Sequence, residues 1–251
     1  MSLRPKAFGV HLLGSALALS LVFGFLYFGW YRWPGWYLAD ALHVAALVIA
    51  VDLALGPLIT LVIANPRKPR RELTRDIAMV VAVQLAALVY GGLTLWHGRP
   101  LYYTFSQDRL EMVQASDLDD QEVQLARRLN PDLAPHWYSR PRWIWAPLPD
   151  DKDEAEKIVA GAVMGEKDVI QMPRYFKSWQ DGRHALDQQL HRIDDLKAFT
   201  PTENQVLKSK LTHLGVSPDR PDGLPMWGRG RPLLALVDPA TGRVSTILMA
   251  K

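Results

Sequence analysis

Residues 41–96 read ALHVAALVIAVDLALGPLITLVIA (41–64), NPRKPRRELTRD (65–76) and IAMVVAVQLAALVYGGLTLW (77–96). Both apolar runs reach the roughly 20 residues that an α-helix needs to cross a hydrocarbon core about 30 Å thick. The stretch between them is strongly basic. The three pieces therefore predict two membrane-spanning helices joined by a cationic turn.

A further apolar run covers residues 7–30, where His11 is the one side chain that can be charged near neutral pH, and an aromatic cluster follows at 28–37. A cleaved signal peptide would have a shorter apolar core, about 7–15 residues. Aromatic clusters of this kind are typical of a membrane interface. We therefore predict an uncleaved span, and a membrane domain of residues 1–97 with spans at 7–30, 41–64 and 77–96.

Basic residues in the short loops predict the orientation of these spans. The N-terminus carries Arg4 and Lys6, whereas the 31–40 loop carries Arg32 alone. The positive-inside rule then places the N-terminus and the 65–76 turn in the cytoplasm. Three spans put residues 98–251 on the opposite side, which is the periplasm if this is a bacterial inner membrane. The basic turn, which can also bind anionic lipid headgroups, contains Arg67, Lys68, Arg70, Arg71 and Arg75.

Residues 98–251 have the composition of a soluble domain. They contain 21 Lys+Arg against 22 Asp+Glu, so no basic face for nucleic acid is expected. Patterns of alternation and helical spacing predict a small α+β domain. Its predicted elements are strands at 101–105 and 109–113, helices at 119–129, 153–164, 185–199 and 202–214, with Thr202 as N-cap of the last, and a hairpin of strands at 233–237 and 243–249.

Asp52 is the sharpest functional signal, because an ionised carboxylate near the middle of a span costs several kcal/mol unless it has a partner. Three interpretations are open. Asp52 could hold the spans together through Gln84, His11 or His43; it could dock the transmembrane helix of another protein; or it could belong to a proton or ion path. One acid in three spans makes the third a thin pathway.

Two further features of the spans could serve packing or a partner. Gly56 permits close helix approach and Pro57 removes a backbone hydrogen bond, so together they predict a kink that either packs internally or forms a groove for a guest helix. Tyr90, followed by two glycines, is another candidate contact.

Catalytic signals are scarce. The chain has no cysteine, which excludes disulfides and thiol chemistry. His184 and His191 share a spacing of seven residues but have no evident partner ligands, so we predict no metal and no cofactor. Tryptophans 137, 143, 145 and 179 could line a sugar or peptide groove, although packing within the domain is the favoured interpretation.

The chain resembles the type IV pilin accessory proteins of the TfpX/TfpZ kind. The resemblance covers nearly the whole chain. It is carried by residues 52–62, Asn65-Pro66, residues 70–76, Gln84, Leu88, Tyr90-Gly91, Arg99-Pro100, Phe105, Asp108-Arg109, Asp168-Val169-Ile170, Pro173-Arg174-Tyr175 and residues 238–243.

This resemblance implies a non-enzymatic inner-membrane chaperone or assembly modulator that serves a type IV pilin. Asp52, Gly56, Pro57, Gln84 and Tyr90 would then receive the pilin's transmembrane helix, whose N-terminal amine is a candidate partner for Asp52. Residues 98–251 would contact the pilin head, and the basic turn would contact inner-membrane lipids. A membrane-anchored envelope transferase and a periplasmic ligand sensor are the alternatives.

Overall fold

The computed structural model describes residues 3–63, 68–219 and 222–250, and the chain divides into two compact units, residues 1–98 and 99–251. Ala64, where the second predicted span ends, lies outside the described residues, as do Asn65-Pro66 and Arg67 of the basic turn. The two units are described separately below.

The first unit contains three helices that are long and apolar enough to cross a membrane, Pro5–Tyr31, Ala41–Ile63 and Arg70–His97. Two of them include a π-helical segment. In chain order the elements are α1 (Leu3–Leu26), a π-helical turn (Tyr27–Tyr31), α2 (Gly35–Leu38), α3 (Ala41–Ile49), a π-helical segment (Ala50–Leu55), α4 (Gly56–Ile63) and α5 (Arg70–His97).

The turn predicted at 65–76 is partly helical in the structure. Helix α5 already begins at Arg70, so Arg70, Arg71 and Arg75 are exposed on its first turns. Lys68 lies before the helix and its ammonium donates to Asp76 at 2.7 Å. Pro69 explains the early start, because a proline readily precedes a helix whose first N–H groups need no partner within it.

Apolar contacts join the three spans at two levels. Leu19, Val48 and Leu88 form one buried cluster. Gly91 lets α3 and α5 approach here, since a Cβ at that position would lie 2.2 Å from Val48 Cγ2. A second cluster contains Leu26, Trp30, Tyr31, Ala41 and Leu95, and the Tyr31 hydroxyl donates to the Leu95 carbonyl at 2.6 Å.

The second unit is built on one mixed sheet. Its elements are β1 (Pro100–Ser106), β2 (Arg109–Gln114), α6 (Asp120–Leu129), β3 (Arg142–Trp145), α7 (Lys152–Val163), β4 (Lys177–Ser178), α8 (Arg183–Gln188), α9 (Pro201–His213), β5 (Gly223–Trp227), β6 (Leu233–Val237) and β7 (Val244–Met249). The described strands run in the order β4-β3-β1-β2-β5-β6-β7. Pairs β1–β3 and β2–β5 are parallel and the other neighbours are antiparallel. The chain is thus a three-span membrane protein followed by an α+β domain.

Two apolar clusters fill this unit. One lies around β1 and β3 and includes Tyr102, Ile144 and Phe176, with Ile158 of α7 packed against them. The other places Leu207 and Leu211 of α9 against Leu234 and Leu236 of β6. Helices α7 and α9 therefore cover the sheet where these two clusters lie.

The structure corrects two predicted helices. The helix expected over 185–199 is wrong: α8 ends at Gln188, and His191 instead exchanges two 3.0 Å backbone hydrogen bonds with Gly223. The last helix begins earlier than predicted, because Thr200, not Thr202, is the N-cap. Thr200 and Glu203 form a reciprocal capping box around Pro201. Gly215 follows α9 with φ = +71°, as a C′ glycine should.

Candidate functional site

Polar side chains from all three spans meet inside the membrane unit. His11 and Ser15 lie on α1, Thr60 on α4 and Gln84 on α5, while Asp52 occupies the π-helical segment. They line a cavity of about 400 Å³, whose remaining wall is apolar. We call these five residues and this space the intramembrane pocket.

The π-helical segment has a local cause. A proline at 57 cannot donate a hydrogen bond, and in a regular α-helix its ring would press on the carbonyl of Leu53. The helix widens at this point instead, and the Gly56 N–H donates to the carbonyl of Val51, five residues earlier in the chain. Pi-helical segments of this kind often occur at functional sites. Here the segment carries Asp52.

Gln84 is the centre of the hydrogen-bond network. Its Nε2 donates to the Asp52 backbone carbonyl at 3.1 Å and to Ser15 Oγ at 3.4 Å. Its Oε1 lies 2.6 Å from His11 Nε2. The other ring nitrogen of His11, Nδ1, lies 2.5 Å from Thr60 Oγ1. One glutamine thus links the three spans.

These contacts also assign the His11 tautomer. A carbonyl oxygen can only accept, so the bond to Asp52 fixes the orientation of the Gln84 amide and turns Oε1 towards His11. The proton of a neutral imidazole must then sit on Nε2, because Oε1 cannot donate. In that tautomer Nδ1 accepts from the Thr60 hydroxyl. Both ring nitrogens of His11 are therefore satisfied within the protein.

The Asp52 side chain differs from its neighbours. It is 4% exposed, and its Oδ1 has no hydrogen-bond partner among the residues that the structure describes. An unpaired carboxylate oxygen in an apolar environment is costly, and the cost is removed when a donor approaches. The pocket therefore offers one open acceptor in an otherwise satisfied network.

Gly56 is required by the geometry of this network. A Cβ at that position would lie 2.0 Å from Gln84 Nε2. A side chain there would displace the Gln84 amide, so the glycine lets Gln84 reach the backbone of Asp52. Pro57 is buried beside it.

The residues singled out from the sequence do not all come together. Asp52 and Gln84 line the intramembrane pocket, and Gly56 and Pro57 are buried in the same span as Asp52. Tyr90, in contrast, is 74% exposed on α5 and lies outside the pocket. His43 is exposed and pairs with Asp40 at 2.6 Å, so it is not a partner of Asp52.

Sequence reasoning overlooked Ser15 and Thr60 and gave His11 only a minor part. A signal was present in the spacing. Positions 11 and 15, like positions 52, 56 and 60, repeat every four residues, which places small or polar groups on one side of a helix. Such stripes are common at contacts between membrane helices.

The second unit has its own charged cluster. Arg174 contacts both carboxylate oxygens of the buried Glu122, each at 2.5 Å, and Lys167 pairs with Asp119. The Tyr175 hydroxyl donates to Glu154. These charges satisfy one another and fix residues 173–175 against α6. Within the described ranges, no three His, Cys, Asp or Glu side chains are grouped to hold a metal ion.

Three fimbrial assembly proteins of Dichelobacter nodosus are similar to this three-span membrane chain. The alignments cover 113 residues, or 45% of the chain, at 29% identity for the serogroup I protein, 28% for the serogroups C1 and C2 protein and 27% for the serogroup E1 protein. The aligned stretch covers 86% of the C1 and C2 protein. It spans 44%, less than half, of the serogroup I and E1 proteins. No protein-family model matches the chain, and no solved structure matches it.

Proposed function

We propose that this chain is a non-enzymatic accessory protein of type IV pilus assembly, which binds a pilin in the bacterial inner membrane before the pilin is assembled. Three relatives named as fimbrial assembly proteins support a role in pilus assembly. Three spans and the absence of a cofactor motif in the sequence fit a membrane-embedded binding protein. The transferase and sensor alternatives have no specific contact in their favour.

The unpaired Oδ1 of Asp52 is the observation that carries the binding step. The pilin's apolar helix would lie against the intramembrane pocket and present a donor, either its N-terminal amine or a hydroxyl group, to that oxygen. Val81 and Leu85 of α5 line the same pocket and would contact the guest's apolar side chains. The pocket volume is within the range of about 300–1,000 Å³ typical of ligand sites.

The proposed orientation places the N-terminus and the α4–α5 connection in the cytoplasm and residues 99–251 in the periplasm. The exposed arginines at the start of α5 support it, because cationic residues are retained on the cytoplasmic side. In this arrangement the same protein could contact both the helix and the periplasmic head of a pilin. Reporter fusions at the C-terminus, active only in the periplasm, test the orientation.

The first experiment combines co-purification from detergent-solubilised membranes with pilin abundance in cells with and without this chain. We expect pilin to co-purify and to be depleted in the deletion strain. Abundant pilin that never co-purifies would contradict the proposal.

The second experiment tests the pocket itself. Asp52→Asn keeps the shape of the side chain but removes the anionic acceptor, so the amount of pilin recovered should fall several-fold while the protein level is unchanged. Asp40→Asn is the matched control, because Asp40 is exposed and pairs with nearby His43. Equal pilin recovery with both variants would remove Asp52 from the binding step.

A photo-activatable residue introduced at Val81 should cross-link pilin. The same residue at Tyr90 reports whether the exposed side of α5, outside the pocket, also meets the pilin. Cross-linking at Tyr90 and not at Val81 would move the binding surface to that side.

A further inference from the structure

An exposed aromatic loop lies in the second unit between α6 and β3. We call residues 135–140, Pro-His-Trp-Tyr-Ser-Arg, the aromatic loop. Trp137 is 70% exposed and Tyr138 is 59% exposed. The other four tryptophans of this unit are partly buried. Tryptophan is among the more buried residue types on average, so an exposed Trp–Tyr pair calls for a surface to cover it.

Hydrogen bonds and ring contacts within the loop define the arrangement of these rings. His136 and Ser139 close a turn, in which the His136 N–H donates to Ser139 Oγ at 2.9 Å and the Ser139 N–H donates to the His136 carbonyl at 3.1 Å. The His136 and Tyr138 rings stack with centroids 5.4 Å apart, and Trp137 meets Tyr138 edge to face at 5.5 Å.

Three arginines hold the backbone of this region. Arg142 donates to the carbonyls of residues 132, 133 and 134, and Arg127 donates to the Pro135 carbonyl at 3.5 Å. Arg99 donates to the Trp137 carbonyl at 3.4 Å. These hydrogen bonds hold the main chain of the loop, while the Trp137 and Tyr138 side chains remain exposed.

Arg99 connects the loop to the membrane through the chain itself. The third span ends at His97, so Arg99 follows it by two residues and lies within about 7 Å of its end. Because Arg99 touches Trp137, the covalent chain keeps the aromatic loop close to the level where the hydrocarbon core gives way to headgroups.

The composition of the aromatic loop suits the boundary between the hydrocarbon core and the lipid headgroups. Tryptophan and tyrosine are enriched at membrane interfaces, where an apolar ring and a polar N–H or O–H are both accommodated. Residues 133–149 contain no acid, and the exposed Arg140 complements phosphate groups.

We infer that the aromatic loop inserts its Trp137 and Tyr138 rings into the lipid headgroup region and so holds the second unit against the membrane. The partner is the phospholipid surface. This inference needs the three-span organisation but not the proposed pilin, so either can fail without the other.

The absence of native cysteine makes a direct test possible, because a single introduced cysteine is the one labelling site. Trp137→Cys is labelled with the environment-sensitive fluorophore NBD, and the full chain is reconstituted without pilin into phosphatidylethanolamine–phosphatidylglycerol vesicles. Leu214→Cys, exposed elsewhere in the same unit, is the matched control.

We expect lipids that carry a nitroxide near the headgroup to quench the label at 137 several-fold more than the label at 214, and aqueous iodide to show the reverse order. A label at 137 that iodide quenches as freely as the control would overturn the inference. So would a label protected from both quenchers, since that result would place the loop against protein.

Tyr138→Cys repeats the measurement on the adjacent ring and guards against a local effect of losing Trp137. Hydrogen exchange in β1 and β2 shows whether each variant retains the sheet.

Discussion

The two units differ in where they place polar and apolar side chains. In the membrane unit Asp52, Thr60 and Gln84 are inside, while leucines and valines such as Leu85 and Val89 are exposed. In the sheet unit Leu224 and Leu234 are fully buried and most charges are outside. The difference follows from the solvent. Water expels apolar surface, whereas lipid chains are as apolar as leucine and leave polar contacts as the distinguishing interaction between helices.

One lesson is that the same residue type has a different value in each unit. A leucine in the sheet unit contributes by leaving water, whereas a leucine on the lipid side of α5 exchanges one apolar surrounding for another. A polar residue in the spans, by contrast, fixes which faces of the helices meet. The following predictions test this contrast.

The largest effect should come from one substitution made in both units. Leu234→Ala leaves a cavity under α9 and should destabilise the sheet unit by about 2–5 kcal/mol. Leu93→Ala, at a position on α5 that is 51% exposed and outside the pocket, should change the stability of the spans far less. Hydrogen exchange of the detergent-solubilised chain, resolved by peptide, measures both. Equal losses in the two units would mean that the lipid side of α5 is covered by protein.

A smaller loss of stability should follow from a substitution that crowds the hydrogen-bond network around Gln84. Gly56→Ala places a methyl group 2.0 Å from Gln84 Nε2, so Gln84 must leave Asp52 or the helices must separate. Overpacking of this kind costs about 1–3 kcal/mol.

Gly24→Ala is the control for this change, because a Cβ at position 24 meets nothing within 4 Å. Titration with denaturing detergent, followed by circular dichroism, compares the two variants. If both retain wild-type stability, then the contact between Gly56 and Gln84 does not hold the spans together.

The smallest effect concerns charge on the sheet unit. A hydrogen bond from Lys167, together with the cap bond from the Glu122 N–H, holds the pKa of Asp119 below its ordinary value of 3.8. A carboxyl whose pKa is lowered by folding stabilises the protein above its ordinary pKa, and this contribution disappears as the pH falls through the lower, folded value. The wild type should therefore lose this contribution below pH 3.8.

Two variants separate the charge of Asp119 from its capping role. Asp119→Asn can still cap α6 but cannot titrate, so its stability should depend less on pH in this range. Asp119→Ala should also lose about 1 kcal/mol at neutral pH, because the Glu122 N–H loses its acceptor. Urea unfolding at pH 7 and pH 3 checks both. Identical behaviour of the two variants at neutral pH would exclude a capping role.

The sequence is sufficient to predict those structural features that a single segment determines by itself. Twenty or more apolar residues in a row have few alternatives to a membrane span, and short apolar runs on either side of turn residues predict β1, β2, β6 and β7. Local patterns do not predict β3, β4 or β5, because β3 lies in a region rich in Pro, Trp and Arg, β4 has only two residues, and β5 contains both Gly223 and Pro225. The order of the strands depends on contacts distant in sequence, which no local pattern contains.

In the intramembrane pocket, too, the sequence predicts individual residues but not the contacts between distant segments. Asp52 and Gln84 stood out because polar groups are expensive within a span. That His11 and Thr60 share a hydrogen bond depends on how α1 is rotated against α4, and this rotation is set by packing between helices. The failed helix at 185–199 has a similar origin, since the backbone of His191 pairs with Gly223, which is 32 positions away.

The π-helical segment at Ala50–Leu55 behaves as a one-residue insertion in the second span. This extra residue determines the direction in which the side chains of the following helix α4 face, because each residue turns an α-helix by about 100°. Deleting one residue from this segment would preserve an apolar span of nearly the same length and would still retain Asp52. It would nevertheless turn Gly56 and Thr60 away from Gln84 and His11. A lineage could thus abolish the pocket, or create it in a plain helix, by a single codon deletion or insertion that hydropathy would not register.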